Sequence, residues 1–185
     1  FKGGYIMITY DKIPKLISCN ACETVDLEYI PHCLEHYNDE YGLDLNPDFQ
    51  RGHVWNLEQK EKFIKYIIRG GKTNPIYFNS PEFGGYDIEP NCDLSGEIVI
   101  VDGKQRLNAI QEFLDNKVKV FGYLLNEFSL EDQRKLKLRT SVTFSVNRLQ
   151  TRKELLTWYL EMNEGHIAHS QEELDRVKQL LNKVN

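Results

Sequence analysis

The chain has 185 residues, 41% hydrophobic and 28% charged, which suits one globular domain with a real core and leaves little room for a second. Its formal net charge of -5 excludes long-range attraction of a polyanion, so nucleic acid would have to meet a local basic patch. No apolar run nears the roughly 18 residues that span a bilayer, and no signal-peptide pattern opens the chain, so a cytoplasmic protein without a membrane partner is expected.

In chain order, Phe1-Lys2-Gly3-Gly4 does not begin with Met and is set aside as a tag remnant or an upstream extension. Val25, Leu27, Ile30, Leu34 and Tyr37 recur at helical spacing behind an N-cap at Thr24, which predicts a helix ending before Gly42. A short extended piece, Leu43-Asp44-Leu45, leads into a turn at Asn46-Pro47. Asn56 caps a helix carrying Phe63, Ile64, Ile67 and Ile68 that stops at Gly70-Gly71. Pro75 to Asn79 and Ile98 to Val101 read as buried strands, separated by an acidic, Gly- and Pro-containing surface loop.

Leu107, Ile110, Phe113 and Leu114 predict a helix ending near Asn116, followed by extended Val118 to Phe121. Ser129 with Asp132 starts a short basic helix, and Val142 to Val146 alternates as a strand. Two helices close the chain, one from Thr151 through Met162 and one from Ser170, whose capping box ends at Glu173. The expected class is α+β, a small mixed sheet surrounded by helices, with helical N- and C-terminal parts.

The chemistry concentrates where the strand Ile98 to Val101 delivers Asp102. Gly103 permits a sharp turn, and Lys104, Gln105 and Arg106 fall in the first helical turn. Free backbone N–H groups and the positive helix end attract phosphate there, and Lys104 and Arg106 add charged donors. Both cations oppose the macrodipole, a conflict that an anionic ligand relieves. Asp102 can hold Mg²⁺ or accept from a ribose hydroxyl, and Gln105 can orient a water. The bland alternative for the same residues is that Asp102 caps the helix, Lys104 is solvated and Arg106 pairs with a nearby acid.

A second cluster, Phe49-Gln50-Arg51-Gly52-His53-Val54-Trp55, lies just before a helix. Phe49 and Trp55 are read as core anchors, whereas Gln50 and Arg51 have no apolar reason to be there. Cys19-x-x-Cys22 with His32, Cys33 and His36 has a spacing that invites zinc, but one CxxC without a second pair is weak, and Cys33 suits a buried helix face, so zinc is not expected. Arg134, Lys135, Lys137 and Arg139, continuing at Arg148, Arg152 and Lys153, form the basic concentration of an acidic chain. They are candidates for DNA contact or for a solvated helix face.

Three segments in order, Asn46-Pro47-Asp48-Phe49-Gln50-Arg51-Gly52-His53-Val54-Trp55, Val101-Asp102-Gly103-Lys104-Gln105-Arg106-Leu107 and Met162-Asn163-Glu164-Gly165, resemble the N-terminal domain of GmrSD-type modification-dependent restriction systems. That family looks like a branch of the ParB/sulfiredoxin superfamily. The resemblance implies a single ParB-like domain over 1-185, with a family core of about 46-177 and an N-terminal helical extension of about 11-41. It also implies a nucleotide pocket at the DGQQR-type motif, NTP binding or hydrolysis with Mg²⁺, and a setting in restriction and phage defence with DNA or a defence protein as partner.

By position, Asp102, Gly103, Gln105 and Arg106 match that motif, Gln50 and Arg51 the upstream pair, and Asn163 and Gly165 the late Asn-x-Gly-Gly. Lys104 stands where many members have glutamine, and His166 where a second glycine is usual. Larger members add a C-terminal nuclease of the His-Asn-His kind. His166 and His169 show no such frame, so strong built-in nuclease activity is not expected. The leading expectation is an NTP-binding protein with, at most, slow hydrolysis, in which Gln50, Arg51, Gly103, Lys104, Arg106 and Asn163 hold the nucleotide. A non-catalytic DNA- or protein-interaction module is the alternative, and a nickase using Asp102 as its metal ligand the lesser one.

Overall fold

The computed structural model describes residues 13, 16–50, 54–164 and 171–184. Its first element is a strand, β1 (Ala21–Asp26), paired antiparallel with β5 (Ser141–Asn147) from Ala21 opposite Val146 to Asp26 opposite Ser141. The helix expected behind Thr24 therefore begins later, as α1 (Ile30–Tyr41), with a proline in its first turn. The spacing misled for a physical reason. Val25 and Leu27 are two apart and both buried, as on one strand face, while the three-residue step from Leu27 to Ile30 imitates a helical repeat across the Asp26–Tyr29 turn.

After α1, Gly42 at φ +72 turns the chain into β2 (Leu43–Asp44), which pairs parallel with β4 (Ile98–Asp102). The predicted cap of α2 (Leu57–Ile68) is a complete capping box: Gln59 N–H donates to Asn56 Oδ1 and Asn56 N–H to Gln59 Oε1, each at 2.9 Å. Next come β3 (Ile76–Asn79), then β4 and α3 (Lys104–Leu114).

The extended piece expected at Val118 to Phe121 is instead a tight turn. Val120 and Tyr123 bridge across Phe121 (φ +55) and Gly122 (φ +91). The strand-forming residues Val118 and Val120 point into the core without finding a partner strand. Ser129 caps α4 (Leu130–Arg139), accepting from Asp132 N–H at 3.2 Å. The last helices are α5 (Arg152–Glu164) and α6 (Gln171–Lys183); the predicted cap at Ser170 lies outside the described residues.

The five strands run in the order β1-β5-β3-β4-β2, a mixed sheet covered on both faces, in agreement with the α+β expectation. On one face Ile76, Phe78, Ile98, Ile100 and Phe144 pack with Ile30, Ile64, Leu107 and Phe113 of α1, α2 and α3. On the other, Val101, with Val99 and Tyr77 beside it, packs with Phe49 and with Leu155, Leu156, Trp158 and Tyr159 of α5 and Val177 of α6. Each such buried side chain contributes about 1.5–3 kcal/mol, so both helical layers are held to the sheet.

Phe78 stands opposite Ile100 but Tyr77 opposite Asp102, so the register shifts and Val101 is the extra residue of a bulge. A bulge re-aims the side chains that follow it. Here it breaks the strand alternation at Asp102 and presents that residue across from Tyr77.

No helix among the described residues is long and apolar enough to cross a membrane.

Candidate functional site

The bulged end of β4 runs into Gly103, which has φ +97, a conformation that costs other residues energy. A Cβ there would lie 3.1 Å from the Ile76 Cα and from Arg106 Nη2, so glycine also admits a close approach of β3. α3 starts at once with Lys104, has no side-chain cap and no acidic residue in its first turn. Its N-terminal N–H groups therefore lack the usual anionic complement.

Arg106 Nη2 donates to Asp102 Oδ2 at 2.8 Å, and Arg106 Nη1 donates to the Asn74 carbonyl. This is the pairing that the bland reading of the motif anticipated for Arg106, whereas Asp102 does not cap the helix. Lys104 Nζ donates to Asn46 Oδ1 at 2.7 Å, a neutral partner, so its charge is not balanced by that contact.

Asn46 to Gln50 lie against the motif as a strap, and Trp55, just before α2, meets it too. Gln50 Nε2 donates to the Val101 carbonyl, and the Gln105 side-chain oxygen accepts the Trp55 N–H at 3.1 Å. Gln50 Oε1 is buried without a hydrogen-bond partner among the described residues. Its amide orientation is fixed by the Val101 bond, so the unmet group is an acceptor, and leaving one buried costs about 1–3 kcal/mol. Arg51, Gly52 and His53 lie outside the described residues, as do Gly165, His166 and His169.

The structure thus brings together Gln50, Asp102, Gly103, Lys104, Gln105 and Arg106. Asn163 is buried in α5, where its Nδ2 donates to the Tyr159 carbonyl at 2.6 Å, one turn back on its own helix. The basic run is elsewhere too. α4 packs beside β1, at the far edge of the sheet from β4. There Lys135 pairs with Glu131 at 2.6 Å and Lys137 with Glu28 at 2.5 Å, while exposed Arg134 and Arg139 form no ion pair among the described residues. Arg148 stacks 3.6 Å above the Tyr86 ring, and Arg152 pairs with Asp48.

The cysteine and histidine spacing does not converge. Cys19 packs with the α5/α6 layer and Cys33 with the opposite one, so the sheet separates them. Among the described residues no group of three or more His, Cys, Asp or Glu side chains is placed to share a metal ion. Asp102 is the carboxylate of the motif, so a Mg²⁺ ion there would draw most of its oxygens from a ligand and from water.

Three participants escaped the sequence reading. Asn46 and Asn74 supply the oxygens that hold Lys104 and Arg106. Tyr77 stands opposite Asp102, its ring edge-on to Trp158 at 5.7 Å between centroids. Burial first, then the Cys19 and Asp102 charges, raise its phenol above the ordinary value, so it stays a neutral donor. Only the Asn46-Pro47 turn gave any local signal. The other two contacts depend on which strand neighbours β4.

Two comparisons with known proteins give a match. Residues 32–184 match the family model of the GmrSD restriction endonuclease, N-terminal domain. The solved structure of the C-terminally truncated chromosome-partitioning protein ParB from Caulobacter crescentus, complexed with CTP-gamma-S, aligns with a TM-score of 0.39 at 20% identity, covering 79% of this chain and 54% of that one. Among curated proteins there is no match.

Proposed function

We propose, for a chain that belongs to the GmrSD restriction endonuclease N-terminal domain family, that the end of β4 and the start of α3 bind the phosphates of a nucleoside triphosphate. The observation that carries this reading is the N-terminus of α3, without a side-chain cap or an acid in its first turn, and with Lys104 held, among the described residues, by a neutral amide. A phosphate there accepts from the free N–H groups and supplies the counter-charge that the helix end and Lys104 lack. Gln50 Oε1, a buried acceptor beside Val101, suits a ribose hydroxyl or a base amino group.

Binding then exchanges partners rather than filling a void. Lys104 leaves Asn46 for a phosphate oxygen, and Arg106 turns one arm of its fork from Asp102 to the same ligand. Asp102, released, is the residue that would hold Mg²⁺, whose chemistry is to neutralise charge building on the phosphates. Gln105 keeps its carbonyl on Trp55 and uses its amide nitrogen to orient a water. Arg51, which matches the family's upstream Gln-Arg pair, is the further cation assigned to the phosphates. Slow hydrolysis, coupled to DNA processing or restriction in defence, is the activity this arrangement supports.

One observation favours a second reading. Asp102 and Gln105 both already make structural bonds, as expected of an interaction module without turnover, which would meet DNA through exposed Arg134 and Arg139. Isothermal titration of the four ribonucleoside triphosphates with Mg²⁺, followed by phosphate release, separates the two. Heat that disappears in Arg106→Ala, with slow release dependent on Asp102 and Gln105, supports the first. Absence of heat with all four, or unchanged binding in Arg106→Ala, rejects it.

A further inference from the structure

We infer that Arg152 and Arg176 are positioning residues for the site above: acting through Asp48, they fix the strap that sets Gln50 against the end of β4. The inference rests on reading that site as a nucleotide pocket.

Between β2 and α2 the described residues form no helix or strand; one backbone bond, Gln50 N–H to the Pro47 carbonyl at 3.0 Å, closes a turn over Asp48, and side chains hold that turn in place. On the motif side its pins are Lys104 on Asn46, Gln50 on the Val101 carbonyl and Gln105 on the Trp55 N–H. The first is lost when Lys104 turns to a phosphate. On the other side, the Phe49 ring is buried and lies edge-on to Tyr159 at 5.4 Å. Between Phe49 and the turn sits Asp48, and two helices reach it. Arg152 Nη2 lies 2.6 and 2.7 Å from the two Asp48 carboxylate oxygens, and Arg176 Nη2 donates to the Asp48 carbonyl.

Arg152 is itself held. Its backbone N–H donates to Asp93 Oδ1 at 2.6 Å, and its guanidinium carbon is 5.6 Å from the centre of the Phe49 ring. It opens α5, where a cation opposes the macrodipole, so helix stability does not account for an arginine there, whereas the Asp48 carboxylate does. Arg176 keeps a buried Nε without a hydrogen-bond partner among the described residues while engaging Asp48, a desolvation cost set against holding that one carbonyl.

Asp48 is two residues before Gln50 and three before Arg51. Freeing it leaves Phe49 buried and the fold intact, but loosens the Pro47–Gln50 turn that aims the Gln50 side chain. A positional error of that kind weakens ligand binding more than folding. The expected loss for Arg152→Ala is about tenfold in nucleotide affinity, equivalent to about 1.4 kcal/mol.

The test compares the unsubstituted chain, Arg152→Ala, Arg152→Lys, Asp48→Asn and, as a control at an exposed cation on α2, Lys62→Ala. Hydrogen–deuterium exchange over residues 44–50 is read without ligand, and affinity by titration of the four ribonucleoside triphosphates with Mg²⁺. Faster exchange of the Gln50 amide in Arg152→Ala, about tenfold weaker binding, partial recovery in Arg152→Lys and no change in Lys62→Ala support the inference. Unchanged exchange in both Arg152→Ala and Asp48→Asn overturns it whatever the ligand does. Faster exchange with unchanged affinity also overturns it, reducing the pair to a structural tie. Absence of nucleotide binding by the unsubstituted chain overturns the pocket reading instead, and exchange then judges the clamp on the strap alone.

Discussion

Replacing Gly103 by alanine tests the turn on which the whole site depends. At φ +97 an L-residue sits in the left-handed region, at a cost of about 1–2 kcal/mol. The new Cβ would also lie 3.1 Å from the Ile76 Cα, the Ile76 Cγ1 and Arg106 Nη2. The guanidinium can swing away, but the backbone of β3 is buried beneath the bulge, and crowding of this kind costs at least about 1 kcal/mol more. Gly122→Ala is the matched control, because Gly122 has φ +91 and a Cβ added there would meet no atom within 4 Å, so it carries the conformational cost alone. Urea unfolding of both variants should place Gly103→Ala about 2–3 kcal/mol below the unsubstituted chain and at least about 1 kcal/mol below Gly122→Ala. Equal losses in the two variants would refute the close approach of β3 to the turn.

Two further substitutions separate binding from folding. Lys104→Glu gives α3 the acidic first turn it lacks and gives up the Asn46 contact, so the melting temperature should hold or rise by up to about 4 °C, while affinity for nucleoside triphosphates falls at least about tenfold. A lower melting temperature together with unchanged affinity would contradict the dipole argument. Tyr77→Phe removes a hydroxyl that makes no hydrogen bond among the described residues, so thermal unfolding should stay within about 1 kcal/mol of the parent. Titration should show weaker nucleotide binding, because the phenol stands across from Asp102, and unchanged affinity would remove Tyr77 from the site.

Much of the site was legible in the sequence because its information is local. Asp102 at a strand end, glycine at the turn and two cations in a first helical turn are neighbours in the chain, and the caps at Asn56 and Ser129 fix helix starts by chemistry within four residues. What escaped was non-local. β1 was hidden because two residues on one strand face continued into a helical spacing. The bulge at Val101 exists only against β3, and its effect on Asp102 cannot be read from β4 alone. The Arg152 and Asp48 pair joins residues 104 apart, and Lys104 meets Asn46 across 58. Composition did not show which members of the basic run are engaged: Lys135, Lys137, Arg148 and Arg152 each have a structural partner, while Arg134, Arg139 and Lys153 are exposed and form no ion pair among the described residues.

The central claim is a location as much as an activity, and backbone amide shifts report location directly. In ¹H–¹⁵N correlation spectra recorded as each ribonucleoside triphosphate is added with Mg²⁺, at least one should shift the amides of Gly103 to Arg106 most strongly, with Gln50 and Trp55 following as the strap adjusts. Largest shifts on α4, or no shift at Gly103 to Arg106 with any of the four, would contradict the account.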